Sequence, residues 1–182
     1  MATGRRRMEE RLAGRILALD IGAKRIGVAV SDELRLLATP RAVIVRRSTE
    51  SALDEIVRLA QVEDVSLVVV GLPVSFDGQL HNQARIVQRF GERLRKRLDA
   101  LATGGTPGIP LVYADETLST VRAEERLRAA GVRPQRIRER IDAEAAAVIL
   151  EEYLDQRRQQ RRQTERRMAD PAGEENEGGE TR

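Results

Sequence analysis

The sequence predicts an α/β fold: a five-stranded mixed sheet whose first three strands are antiparallel, continued by parallel βαβ units and flanked by helices. Two observations support this prediction. Two short β-branched runs lie on either side of a four-residue turn near the N-terminus, and later apolar runs alternate with segments of helical spacing. With 182 residues, of which 41% are hydrophobic, the chain is long enough to bury one sizeable core.

The first three strands come from the N-terminal quarter of the chain. Ile16 to Ile21 and Ile26 to Ser31 predict a β-hairpin, because the intervening turn begins with Gly22, which tolerates unusual backbone angles. A third strand is expected over residues 38–45. These three strands form the antiparallel start of the sheet.

Helices and strands then alternate. Ser48 or Thr49 is expected to cap a helix that runs through Gln61. The run 66–71 is apolar throughout, which predicts a strand buried on both faces. A long amphipathic helix follows over residues 82–101. This order predicts a βαβ unit.

The last elements complete the sheet and cover it. Residues 109–115 predict the fifth strand, and Ser119 or Thr120 can cap a helix that ends before Gly131. A final helix is expected from Pro134 or Ile141 through Leu154. We therefore predict a basic N-terminal tail over 1–14, a folded domain over 15–156, and a disordered tail over 157–182 that is first Arg-rich and then acidic.

Composition excludes several kinds of chemistry. The chain has no cysteine and one histidine, so disulfides, thiol nucleophiles and zinc sites are not expected. Carboxylates, hydroxyls and basic side chains remain. Arginine clusters at both ends of the domain suit a polyanionic partner. Because no segment is apolar enough for a signal peptide or a membrane span, we expect a cytoplasmic protein without a membrane partner.

Carboxylates interrupt apolar or small-residue segments at three places. Asp20 lies in the first strand, Asp115 and Glu116 end the fifth, and Asp142 opens an Ala-rich helical face. The carboxyl ends of parallel strands open onto one crevice, so these acids could converge there and bind Mg²⁺ or Mn²⁺. Alternatively, each acid could serve only as a cap for a turn or helix.

Four segments together carry a family resemblance. In order and spacing they resemble the YqgF family, also called RuvX, whose members are RNase H-like proteins proposed to be Holliday junction resolvases or pre-16S rRNA nucleases. The resemblance covers residues 14–155. It rests on the segments Leu19-Asp20-Ile21-Gly22-Ala23-Lys24-Arg25-Ile26-Gly27-Val28-Ala29, Val70-Gly71-Leu72-Pro73 with Asp77-Gly78, Asp115-Glu116-Thr117-Leu118-Ser119-Thr120, and Asp142-Ala143-Glu144-Ala145-Ala146.

The resemblance implies roles for individual residues. Asp20 would be the first metal ligand, Glu116 the second with Asp115 beside it, and Asp142 the third; the same three, Asp20, Glu116 and Asp142, would be catalytic. Lys24 and Arg25 fall in the hairpin turn, where a cation could meet a backbone phosphate.

The resemblance also implies a metal-dependent nuclease, which would process the 5′ end of precursor 16S rRNA as a monomer or homodimer. Cleavage of four-way DNA junctions is the alternative, and an RNA-binding ribosome-assembly factor without catalysis is a further one. The Asp-Ile-Gly turn also resembles the first phosphate loop of actin-like ATPases, which need two such domains.

Overall fold

The computed structural model describes residues 14–73, 82–104, 107–115 and 119–169. These residues contain five strands, β1 (Arg15–Ile21), β2 (Arg25–Ser31), β3 (Ala38–Val45), β4 (Val65–Leu72) and β5 (Leu111–Asp115). They also contain four helices, α1 (Thr49–Val62), α2 (Asn82–Asp99), α3 (Ser119–Ala129) and α4 (Pro134–Ala169). Every strand and helix predicted within these residues is present.

The five strands form one sheet in the order β3-β2-β1-β4-β5, with β1 at the centre. β2 is antiparallel to both β1 and β3, whereas β4 is parallel to β1 and β5 is parallel to β4. The predicted mixed sheet is therefore confirmed. Because β1, β4 and β5 run in the same direction, their carboxyl ends share one edge of the sheet, next to the β1–β2 turn.

Side chains of β1 alternate between the two faces of the sheet, as the pleat of a strand requires. Leu17, Leu19 and Ile21 are buried in the larger core, under α1 and α2. Ile16 and Ala18 are buried on the opposite face, under α4. The same alternation assigns the half-buried Asp20 to the α4 face. A carboxylate thus continues an otherwise apolar row.

Ser48 caps α1, as one of the two predicted alternatives. The backbone N–H of Ser51 donates to Ser48 Oγ at 3.1 Å, and the backbone N–H of Ser48 donates to Ser51 Oγ at 3.2 Å. This reciprocal pair satisfies two backbone donors that the first turn of a helix leaves without partners.

The final helix, α4, is longer than predicted. It runs to Ala169, so residues 157–169, which we assigned to a disordered tail, are helical. Arginine, glutamine and glutamate favour helix without any apolar period, and ion pairs such as Arg161 with Glu165 at 2.9 Å add support. No helix within the described residues is both long and apolar enough to cross a membrane.

α4 packs directly on the backbone of β2. A Cβ atom added at Gly27 would overlap the carbonyl group of Asp142 and lie 2.9 Å from the backbone nitrogen of Ala143. Any other residue at position 27 would therefore push the helix off the sheet. Only glycine, which lacks a side chain, permits this contact.

We expect Gly27→Ala to destabilise the fold by about 3 kcal/mol, because the backbone of α4 cannot yield as a flexible side chain would. The measurement is chemical unfolding followed by circular dichroism. Gly104→Ala is the control. Gly104 has open space around it but a φ of +53°, so this substitution should lower the free energy of unfolding by only about 1 kcal/mol. Equal losses in the two variants would contradict this account of Gly27.

Candidate functional site

The structure brings Asp20 and Asp142 to the same place on the sheet. Asp20 on β1 pairs with Gly27 on β2 in the antiparallel register, and residues directly opposite each other present their side chains to the same face. That face at Gly27 is in contact with the backbone of Asp142 on α4. Asp20 and the backbone of Asp142, which are more than a hundred residues apart in the chain, therefore both lie beside Gly27.

Asp142 also contacts a cation from the hairpin. Arg25 Nε lies 2.6 Å from Asp142 Oδ2, and these side chains are 39% and 24% exposed. Oδ2 itself is inaccessible to solvent and accepts no hydrogen bond from the part of the chain that the structure describes, so the arginine compensates its charge without N–H alignment. A buried carboxylate oxygen is costly without a positive partner, and Arg25 supplies one here.

The β1–β2 hairpin holds this arginine in place. The backbone N–H of Gly22 donates to the carbonyl oxygen of Arg25 at 3.0 Å, and Arg25 begins β2. A Cβ at position 22 would lie 2.7 Å from that same oxygen, so the turn depends on glycine. The side chain of Lys24, at the tip of the turn, is exposed.

Arg46 supports this turn, which no sequence pattern indicates. Its guanidinium donates to the carbonyl oxygen of Gly22 at 2.8 Å and lies over the Phe90 ring, 5.0 Å from the centroid. In addition, its backbone N–H donates to the carbonyl oxygen of Lys24 at 2.9 Å. Arg46 follows β3 with no local motif, so only the tertiary contacts identify its role.

The second predicted acid is only partly placed. Asp115 is the last residue of β5 and pairs with Leu72 on β4, at the carboxyl edge to which Asp20 also belongs. Glu116 lies outside the described residues. Within the described ranges no group of three acidic, histidine or cysteine side chains is close enough to hold a metal ion. The structure therefore places Asp20 and Asp142 beside the same glycine, and the metal-ligand roles of Asp20, Glu116 and Asp142 all stay predictions.

Two carboxylates beside a cationic hairpin can do two things chemically. Oxygen ligands of this kind suit hard divalent cations, which they bind in preference to softer metals. The neighbouring arginine and lysine suit phosphate oxygens. The edge of the sheet thus combines groups for a divalent cation with groups for a phosphodiester.

We expect Arg46→Ala to lower the free energy of unfolding by about 2 kcal/mol, because it removes a charged hydrogen bond and a cation–π contact. Arg47→Ala is the matched control, since the adjacent Arg47 is exposed, and it should change stability by less than about 0.5 kcal/mol. Both values come from denaturant unfolding. If Arg46→Ala lowers the free energy of unfolding no more than Arg47→Ala does, Arg46 does not stabilise the turn.

Comparison with known proteins agrees with this arrangement. The family described as RuvX: Holliday junction resolvase matches residues 14–156. A proposed pre-16S rRNA nuclease of Chloroflexus aurantiacus is 44% identical over 143 residues, which cover 79% of this chain and 88% of the relative. A relative of the same name from Roseiflexus sp. is 40% identical over 145 residues, covering 80% of this chain and 96% of the relative.

A solved structure shares the architecture. T. thermophilus RuvC in complex with a Holliday junction substrate matches with a TM-score of 0.50 and 14% sequence identity, covering 80% of this chain and 96% of that chain. This likeness confirms the RNase H-like fold. Since the family match extends through the whole sheet and into α4, the chain belongs to the RuvX family.

Proposed function

We propose that this protein is a divalent-metal-dependent nuclease that hydrolyses phosphodiester bonds at the 5′ end of precursor 16S rRNA, in the cytoplasm. The observation that carries the proposal is that Asp20 and Asp142 both lie beside Gly27, at the carboxyl edge of the sheet. Family membership and the names of the relatives, which specify pre-16S rRNA, support the activity and the substrate.

Asp20 and Asp142 would hold Mg²⁺ or Mn²⁺, with Glu116, next to Asp115, supplying the third carboxylate. The donor set fits such an ion, since carboxylate oxygens are its preferred protein ligands. The buried Asp142 Oδ2 also fits, because it accepts no hydrogen bond from any described residue. When bound, the ion would activate a water molecule and stabilise the charge that develops on the phosphate.

The chain's own residues would perform the remaining tasks. Lys24 and Arg25, on the hairpin beside the two acids, would bind backbone phosphates and so position the substrate. Arg25 would also restrain the Asp142 carboxylate through their contact. The brace formed by Arg46 would keep both cations at the correct distance from the acids, because a loose turn would displace the substrate.

Asp20→Asn and Asp142→Asn should each reduce cleavage of a precursor 16S rRNA fragment in Mg²⁺ by at least about 100-fold, since an amide is a poor ligand for a hard cation. The assay is single-turnover cleavage, with melting temperatures to show that the variants fold. Asp155→Asn is the control on the same helix, where Asp155 is exposed and pairs with Arg158. Full cleavage by Asp20→Asn would refute the assignment.

A second candidate substrate is a four-way DNA junction, which the family description favours. The same three variants on a synthetic junction distinguish the substrates. Asp20-dependent cleavage of the RNA alone supports precursor rRNA, and Asp20-dependent cleavage of the junction alone supports a resolvase. Binding of RNA with no carboxylate-dependent cleavage of either would support an assembly factor instead.

Arg25→Met should tighten the binding of Mn²⁺ or Mg²⁺ to the protein alone by roughly 3- to 10-fold, because it removes a positive charge that contacts Asp142. Isothermal titration calorimetry without nucleic acid measures this effect. Lys24→Met is the matched control: it removes the same charge from the neighbouring, exposed position. If both variants bind the ion with equal affinity, the charge of Arg25 does not weaken ion binding at the Asp142 carboxylate.

A further inference from the structure

The charges along α4 are distributed in three blocks. Residues 134–140 contain three arginines and one glutamate, and residues 141–154 contain four acids and no basic residue. In residues 155–166 basic side chains dominate again, with five arginines and two acids. The five are Arg157, Arg158, Arg161, Arg162 and Arg166. We call this last block the distal arginine face.

The distal arginine face is one side of an exposed helix. At 3.6 residues per turn, its five arginines fall within one half of the helix circumference. The other half carries the glutamines of this segment, Gln156, Gln159, Gln160 and Gln163. Of these arginines and glutamines, every side chain except that of Arg158 is exposed. A helix that needed only to be soluble would not require this separation.

Most of the positive charge on this face is uncompensated. Arg158 pairs with Asp155 at 2.6 Å, and Arg161 pairs with Glu165 at 2.9 Å. The other three arginines, Arg157, Arg162 and Arg166, have no carboxylate within 4 Å among the residues that the structure describes. Like charges crowded together repel one another, and a bound polyanion would relieve that repulsion.

One residue of the face contacts the rest of the domain. Arg158 donates to the carbonyl oxygen of Leu36 at 3.3 Å, in the connection between β2 and β3. In the same connection Arg35 donates to the carbonyl oxygen of Gly14 at 3.0 Å. Burial lowers the pKa of the Arg35 guanidinium, the negative charge of an ionised Tyr153 would raise it, and the positive charge of Arg157 lowers it.

The position of the face relative to the candidate site follows from the topology. Gly14 precedes β1, whereas Asp20 lies near the end of that strand, so the face and the site belong to opposite edges of the sheet. Along α4, Asp142 and Arg162 are twenty residues apart, which at 1.5 Å per residue is about 30 Å. This is about nine base pairs of B-form DNA, at ~3.4 Å per pair, and slightly more of an A-form RNA duplex, whose rise per pair is shorter.

We propose that the distal arginine face binds the phosphate backbone of double-helical nucleic acid about one helical turn from the candidate active site. The proposal rests on the proposed function in that the same duplex would enter the Asp20–Asp142 site. Arginine binds phosphate through charge-assisted hydrogen bonds without reading the sequence, and each contact releases counterions. The face therefore selects duplex length.

The test measures binding of the full-length protein to labelled RNA hairpins by fluorescence anisotropy, in a chelator, so that no cleavage occurs. The hairpins have stems of about 6 and about 20 base pairs, which fall short of and exceed the spacing along α4. The variant is Arg157→Gln with Arg162→Gln and Arg166→Gln. The control is Gln156→Ala with Gln159→Ala and Gln163→Ala, on the opposite half of the helix.

The arginine variant should bind the long hairpin about tenfold more weakly and the short hairpin within about twofold of wild type, and the salt slope on the long hairpin should fall by about 2 to 3. The glutamine variant should match wild type on both. An equal loss on both hairpins, or no loss on the long one, would overturn the proposal.

Failure of the proposed function gives a different result. Suppose that the wild-type protein cuts neither RNA nor junction DNA, yet the arginine variant loses affinity only for the long hairpin. The distal contact would then be supported, and only the proposed nuclease activity would be refuted. Circular dichroism and melting temperatures of both triple variants establish that the helix persists. An arginine variant with wild-type helicity and weaker long-hairpin binding supports the contact itself.

Discussion

The contact between α4 and the backbone of β2 at Gly27 determines the geometry of the candidate site. Because no side chain separates the helix from the strand, the backbone of Asp142 lies against Gly27, the residue that pairs with Asp20. The apolar residues of α4 that follow, including Ile149 and Leu150, fix the helix on the same face of the sheet. Core packing therefore positions a pair of acids that the local sequence cannot bring together.

The charge on Asp142 explains why the adjacent hairpin places an arginine next to it. A largely buried carboxylate oxygen is unfavourable without a positive partner, and Arg25 supplies one at 2.6 Å. Arg46 supports the turn that precedes Arg25 by donating a hydrogen bond to the carbonyl oxygen of Gly22. Electrostatics and turn geometry thus act on the same few residues, so a change in one of them should affect both stability and binding.

α4 has a different role in each part of its length. Its middle is buried on several sides, and Ala146, Ile149, Leu150 and Leu154 belong to the core. Its C-terminal part has left the sheet and is polar throughout, yet it continues as the same helix to Ala169. A continuous helix transmits a fixed spacing from one end to the other, which is why charges at its far end can be related to the site at Asp142.

Apolar periodicity alone determined the strands and most helix bounds, because burial of one face or both leaves a pattern in neighbouring residues; β3 was predicted residue for residue. Asp20 and Asp142 could also be selected as candidates, since each interrupts such a pattern. The polar end of α4 was missed because exposed helix has no such period. Only the tertiary structure showed that Gly27 separates the acids and that Arg46 braces the turn, because both contacts join residues far apart in the chain.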